Sequence, residues 1–307
     1  MANVGCHLRR LWCVMALVGC LVLLAACDTG GGGQSGTPTA APLTLTVGGA
    51  TGTENELLTK MYVLLLKHAG LNVVEHAAMS TDDEVLKALT SGKLDLSPEF
   101  TATGLLKLNL NSTGNAQQDY LQVKQGYEDR YHITWLDSAP LNNTYGICTT
   151  AARASSLQLS KISDLKGQAA DLSVASTSAG AKDGLAILQR AYGLTFQEVI
   201  PYQTEDQAFQ AVSSGAQDLN ICSATSPQLG SGKSVFLRDD KNAFPACNPA
   251  PMVRDTALKK EPRLVSILNK LAPFVTTQAS RQWQSQVASG QSITAVATSF
   301  LQSKGLL

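Results

Sequence analysis

The chain has 307 residues, with 24 basic and 24 acidic side chains and 44% hydrophobic residues. Zero net charge and no basic run beyond Arg10 exclude a nucleic-acid partner of the usual kind. The stretch 43–307 is long enough to bury the cores of two lobes.

The first 26 residues read as a signal peptide. His7, Arg9 and Arg10 form a basic start, Leu11 to Ala26 is apolar and uncharged, and Leu24-Ala25-Ala26-Cys27 closes it. Small residues just before a cysteine predict an exported lipoprotein, cleaved to leave Cys27 as the lipidated first residue. The apolar run is short for a membrane span, which needs roughly 20 residues. Residues 27–42, with Gly30 to Gly33, Ser35 and Pro38, cannot build a core and read as a flexible tether. The expected location is therefore extracytoplasmic, anchored to the cell membrane by lipid. Cys6, Cys13 and Cys20 leave with the signal. Cys148, Cys222 and Cys247 then allow one disulfide and one free thiol, or none bonded. No CxxC pair occurs and the histidines at 7, 68, 76 and 132 are scattered, so neither a metal nor a cofactor is expected.

Leu43 to Val47 predicts a first strand, followed by the loop Gly48 to Thr53 and a helix from Glu54 to His68, stopped by Gly70. Val73 to Ala77 reads as a strand, Thr81 as the cap of a helix Asp82 to Thr90, and Lys93 onward as a strand ending at Ser97-Pro98-Glu99-Phe100-Thr101. Gln117 to Arg130 predicts one helix. Strands at Ile133 to Leu136 and Tyr145 to Thr149 flank the turn Asn142-Asn143-Thr144. A strand Ala170 to Ala175, a helix near Asp183 to Ala191 and a strand Val235 to Leu237 follow. Pro245, Pro249 and Pro251 read as a connector into Met252-Val253-Arg254. Helices at Pro262 to Leu271, Gln278 to Val287 and Ile293 to Gln302 end the chain. Strands alternating with helices predict parallel sheets.

Residues 70–96 recur without a gap 123 positions later. Gly70-Leu71, Glu75, Thr81, Asp83, Ala88, Ser91-Gly92 and Asp95-Leu96 match Gly193-Leu194, Glu198, Thr204, Asp206, Ala211, Ser214-Gly215 and Asp218-Leu219. Solenoid repeats recur at shorter periods. Two such units predict two similar α/β lobes with a cleft between them, where small ligands bind.

No GxSxG, HExxH, P-loop or GxGxxG string is present, and Gly230-Ser231-Gly232-Lys233 reads as a turn. Asp82-Asp83 and Asp239-Asp240 read as a solvated cap and a solvated turn. Absent catalysis, an export signal and two lobes point to a binding protein. The strings Val47-Gly48 with Thr53-Glu54, Ser97-Pro98-Glu99-Phe100-Thr101-Ala102-Thr103, Asn142-Asn143-Thr144-Tyr145, Ile162-Ser163-Asp164-Leu165, Asp183-Gly184 and Pro251-Met252-Val253-Arg254 stand in a telling order. Through them the chain resembles the substrate-binding proteins of osmoprotectant ABC importers, which bind glycine betaine, choline and carnitine. The resemblance runs from about Leu45 to Leu301.

That resemblance implies a type II-like periplasmic-binding-protein fold, α/β and two-lobed, with two hinge crossovers near Asn143 and Asn248. Lobe 1 would be 43–143 with 250–307, and lobe 2 would be 144–249. It also implies a monomer that closes on a quaternary amine and docks on an ABC permease. In such proteins aromatic rings from both lobes box the ammonium head, which offers no N–H donor. Carried over position by position, the rings are Phe100, Tyr145 and Phe209, and Thr103 would hydrogen-bond the ligand's far end. On its own spacing, Phe209 reads as helix core in preference to cleft, whereas Phe100 and Tyr145 at strand edges read as either. A fourth ring position holds Ser223, an early cleft glutamine position holds Asn55, and two cationic positions hold Ala50 and Ala181, leaving Lys182 as a substitute. The lost cations weaken a zwitterion such as glycine betaine more than choline. Two rivals remain: a receptor of the same fold for another small polar solute, and an exported enzyme using Cys222.

Overall fold

The computed structural model describes residues 43–307; the predicted signal peptide, Cys27 and the tether lie outside the described residues. In chain order, β1 (Thr44–Val47), α1 (Thr53–His68), β2 (Asn72–Glu75), α2 (Asp82–Ser91), β3 (Leu96–Phe100), α3 (Thr101–Leu108), α4 (Ala116–Tyr131) and β4 (Ile133–Trp135) come first. There follow β5 (Tyr145–Thr150), α5 (Ala151–Ser156), β6 (Ser173–Thr177), α6 (Ser178–Ile187), β7 (Glu198–Tyr202), α7 (Glu205–Ser213), β8 (Leu219–Ser223) and β9 (Ser234–Phe236). The chain ends with β10 (Pro249–Arg254), α8 (Asp255–Lys260), α9 (Arg263–Asn269), α10 (Thr277–Ala288) and α11 (Ile293–Ser303). No helix among the described residues is long and apolar enough to cross a membrane.

The strands form two five-stranded sheets of matching order, β2-β1-β3-β10-β4 and β7-β6-β8-β5-β9. This is the mixed α/β, two-lobed architecture the resemblance implies. The purely parallel sheets predicted from strand–helix alternation are not what forms. In each sheet the first three strands run parallel, but β10 is antiparallel to β3 and β4, and β5 is antiparallel to β8 and β9. The reason lies in the path: β5 and β10 are the strands that arrive from the other sheet, so each enters against its neighbours.

The two copies of the sequence repeat become β2-α2-β3 and β7-α7-β8, with matching devices. Thr81 and Thr204 cap their helices by accepting the N–H of Glu84 and Gln207 (3.2 and 3.3 Å). Gly92 and Gly215 turn the chain out at φ of 82° and 80°, a backbone that side-chained residues adopt at a cost. Asp95 accepts the Thr46 N–H (2.9 Å) and pairs with Arg254 (2.6 Å); Asp218 accepts the Ser173 N–H (2.8 Å) and pairs with Arg153. Each aspartate thus ties the start of its third strand to the central strand. The copies diverge at their first strands, since β2 ends at Glu75 while β7 begins at Glu198, the matching position.

Three local readings change. Pro249 and Pro251 lie in β10 itself and not in a connector. Their carbonyls accept from Ala139 and Leu136, beyond the end of β4, so the missing proline N–H groups fall where no paired strand needs a donor. Residues 101–108 form α3, a helix where the sequence predicts no element after the strand ending at Thr101. Gly104 makes this packing feasible, because a Cβ there would lie 2.6 Å from Val123 and 3.1 Å from the Trp135 ring. The strand predicted at 170–175 and the helix at 183–191 begin at Ser173 and Ser178, Thr177 capping the helix.

The first sheet packs against α1, α9, α10 and α11 through Leu45, Leu57, Met61, Leu264, Trp283 and Leu301. A second layer around Trp135, Tyr127, Val123 and Leu89 covers its other face. The second sheet buries Ile147, Val174, Leu188, Leu219 and Ile221.

Candidate functional site

The chain passes between the sheets twice, once between β4 and β5 and once between β9 and β10. The passing segments are bonded to each other: the Asn143 N–H donates to the Cys247 carbonyl (2.8 Å), the Cys247 N–H to Asn142 Oδ1 (2.7 Å), and Thr144 Oγ1 to the Pro245 carbonyl (2.8 Å). Beside them a cavity of about 550 Å³ is lined from both sheets. Ala50, Glu54, Asn55, Asp82, Glu99, Phe100 and Thr103 face it from one side, and Tyr145, Glu205, Ser223, Thr225 and Ser226 from the other.

The two rings arrive at strand ends. Phe100 is the last residue of β3 and pairs in register with Pro249; Tyr145 is the first residue of β5 and pairs with Ser223. The repeat sets Phe100 against Ser223, so one sheet presents a ring at its strand end and the other presents a hydroxyl. That hydroxyl is occupied. Ser223 Oγ donates to Asn143 Oδ1, which also accepts from Thr225 Oγ1 (2.9 Å), while Asn143 Nδ2 donates to Glu54 Oε2 (2.7 Å). Glu54 further accepts from Ser280, and Gln284 Nε2 donates to the Thr225 carbonyl (3.0 Å). A polar relay through Asn143 therefore joins α1 and α10 on one side to β8 on the other.

Of the residues predicted for the site, Asn55, Phe100, Thr103, Tyr145 and Ser223 come together around this cavity. Phe209 and Lys182 do not. Phe209 is buried among Cys148, Cys222, Leu229 and Phe236 on the inner face of α7, the helix-core alternative its spacing allowed. Lys182 is exposed on α6 away from the cavity lining and does not replace the missing cations; Ala50 lines the cavity and Ala181 does not. Cys148 and Cys222 form a disulfide between neighbouring strands β5 and β8, leaving Cys247 free. The one nucleophile named for an enzyme is thus a buried, bonded sulfur.

Sequence reasoning missed the carboxyl groups as a set. Glu54 and Glu99 are buried, and burial raises their carboxyls to about 7 and about 8, with Asp82 adding to the rise at Glu99; hydrogen bonds to Glu54, and the Phe100 N–H on Glu99 Oε1 (2.8 Å) with the Lys107 charge, oppose the rise. Burial also raises Glu205, whose Oε1 accepts from the Ser223 N–H (2.6 Å) and Ser226 Oγ (2.8 Å). Asp82, read as a solvated cap, is half-buried at the cavity and likewise raised by burial. Asp239 and Asp240, read as a solvated turn, accept from Tyr192 with the Phe244 N–H (2.8 Å) and from the Ser163 N–H (3.2 Å). The legible signal for the buried pair was position: each glutamate sits where a strand end or a glycine-rich loop gives way to a helix.

Residues 43–303 match the family profile described as the substrate binding domain of ABC-type glycine betaine transport systems. The chain belongs to this family. Such proteins bind a substrate for a transporter and are not enzymes. The chain is 27% identical over 314 residues to a glycine betaine-binding protein of Escherichia coli, covering 97% of this chain and 98% of that protein. It is 25% identical over 274 residues to a carnitine transport binding protein of Listeria monocytogenes, covering 87% of each. In fold it is similar to a solved glycine betaine/carnitine/choline ABC transporter protein, with a TM-score of 0.78, 22% identity, and coverage of 85% of this chain and 99% of that one.

Proposed function

We propose that this protein is a lipid-anchored, extracytoplasmic receptor, monomeric, that captures a small quaternary amine of the choline or glycine betaine type and delivers it to a membrane ABC permease. The observation that carries the reading is the cavity between the two sheets, faced by one ring from each and lined with carboxyl groups. A quaternary head gains from ring faces, at roughly 0.5 to 2 kcal/mol per contact, and from negative charge, without needing a donor partner. Phe100 and Tyr145 would hold the head, with Thr103 and Asn55 reaching the rest of the ligand. Asn143 and Asn248 would lie at the hinge about which residues 43–143 with 250–307 close on 144–249. Cys27 would carry the lipid.

The test is calorimetric titration of the purified protein with choline, glycine betaine, carnitine and proline betaine. Micromolar binding that Tyr145→Ala weakens ~3- to 30-fold, the span of one ring contact, supports the reading. Absence of binding by all four overturns the amine assignment and leaves the family membership.

A further inference from the structure

The cavity differs in kind from one built for a zwitterion. Four carboxyl groups line it, those of Glu54, Asp82, Glu99 and Glu205, and no Lys, Arg or His is among the described lining residues. The base acting on Asp82 and Glu99 is Lys107, which does not line the cavity and is held by Asp83 at 2.6 Å. The Nε2 of Gln284 is already committed to Thr225 and Ser280. The starts of α1 and α2 favour anions by their free N–H groups, but their first turns carry Glu54 and Glu56, and Asp82, Asp83 and Glu84. A ligand carboxylate would therefore enter among carboxyl oxygens with no cation to pair it, and an unpaired charge in a partly dry site is costly.

The opposite chemistry is well served. The Asn55 Oδ1 atom is buried with no partner, and the Ser223 N–H and Ser226 Oγ both donate to Oε1 of Glu205. Asn55 Oδ1 is thus an acceptor without a donor, beside the carboxyl groups of the lining. We propose that this cleft takes an organic cation that carries no carboxylate and ends in a hydrogen-bond donor, and that it discriminates against zwitterions of the same size. The inference rests on the amine-receptor reading above and narrows its substrate class.

A second consequence follows from charge balance. Burial raises the carboxyls of Glu54 and Glu99 where they line the cavity, which favours their protonated forms when no cation is bound. An arriving cation favours their charged forms, so binding is linked to the release of protons. The groups that face this exchange are Asp82 from α2, Glu205 from α7, Lys107 with Asp83, and the buried thiol of Cys247. Binding should tighten as pH rises toward 8.

The experiment is titration calorimetry on the purified protein with two matched pairs: choline against glycine betaine, and N,N-dimethylethanolamine against N,N-dimethylglycine. Each is run in two buffers of different ionisation enthalpy. The expected result is at least ~10-fold tighter binding of the alcohol in each pair, about 1.4 kcal/mol, with net proton release. A zwitterion that binds as well as or better than its alcohol overturns the inference and leaves the amine receptor standing. Failure of all four to bind overturns both. As a second measurement, Ala50→Lys places an ammonium at the cavity wall and is expected to narrow or invert the choline-to-betaine ratio. An unchanged ratio in a folded variant counts against the missing cation as the cause.

Discussion

Replacing Glu99 by Gln tests the buried carboxyl directly, without any ligand. Glu99 is only 3% exposed, and Gln keeps the acceptor oxygen that receives the Phe100 N–H. Its carboxyl is raised from 4.5 to about 8 in the fold, chiefly by burial. A raised carboxyl holds its proton in the folded chain at pH values where the unfolded chain has lost it. Its stabilising effect is therefore full below about 4.5 and is lost as pH climbs through 8. At ~1.4 kcal/mol per pKa unit, the wild-type protein should lose about 2 kcal/mol between pH 6 and pH 8 on account of Glu99 alone. Urea unfolding at pH 6, 7 and 8 reads this loss. Glu99→Gln should lower the pH slope by about that amount and leave a residual slope of roughly 1 kcal/mol from Glu54, whose carboxyl is raised to about 7. Equal slopes for variant and wild type would refute the claim that an unpaired carboxyl is buried at this cavity.

Other substitutions separate site from scaffold. Phe209→Leu should cost less than ~1.5 kcal/mol of stability and leave ligand affinity unchanged, whereas Phe100→Leu should weaken binding several-fold; thermal unfolding and calorimetry read the two effects. Replacing Cys148 and Cys222 by Ser opens a loop spanning 74 residues, which on loop entropy costs about 4 kcal/mol and lowers Tm by on the order of 10 °C; a Tm unmoved by reductant would refute it. Asp95→Ala and Asp218→Ala should each cost ~1 to 3 kcal/mol, and a large inequality between them in denaturant unfolding would argue that the two repeat copies do not share one architecture.

Much of the fold was legible because the signals were local. Thr81 and Thr204 precede their helices as caps, Gly92 and Gly215 follow them, and the spacing of Leu57, Leu58, Met61 and Leu65 marks one helix face. What escaped were features set by distant partners. Strand direction in β5 and β10 depends on how the chain crosses between sheets, which no local pattern records. Helix α3 depends on Val123 and Trp135 approaching Gly104. At the candidate site, Phe100 and Tyr145 are named by the resemblance alone, since a ring at a strand edge faces core or cleft equally by pattern, and both line the cavity. Phe209 misled because family position and amphipathic spacing point to different environments, and packing against the disulfide favours the core. The carboxyls escaped because acidic residues near turns are ordinarily solvated, and partners distant in sequence enclose these two, Ser280 and Asn143 around Glu54 and Ser223 and Ser226 around Glu205.

The two halves of the cavity show what the loss at position 223 entails. Ser223 pairs with Tyr145 on the adjoining strand, as Phe100 pairs with Pro249 in the other sheet. A ring at 223 would have packed beside the Tyr145 ring and closed the wall with apolar surface. A serine there frees Asn143, a residue of the crossing segment, to collect hydrogen bonds from Ser223 and Thr225 while giving one to Glu54. In place of cation–π attraction, worth ~0.5 to 2 kcal/mol per ring, the wall has a hydrogen-bonded clasp that links both sheets and engages both oxygens of Glu54. On the reading proposed above, the carboxyl groups of the lining would draw a positive head where position 223 offers no ring face. With Ala at position 50 and no basic residue among the described lining, nothing would pair a ligand carboxylate.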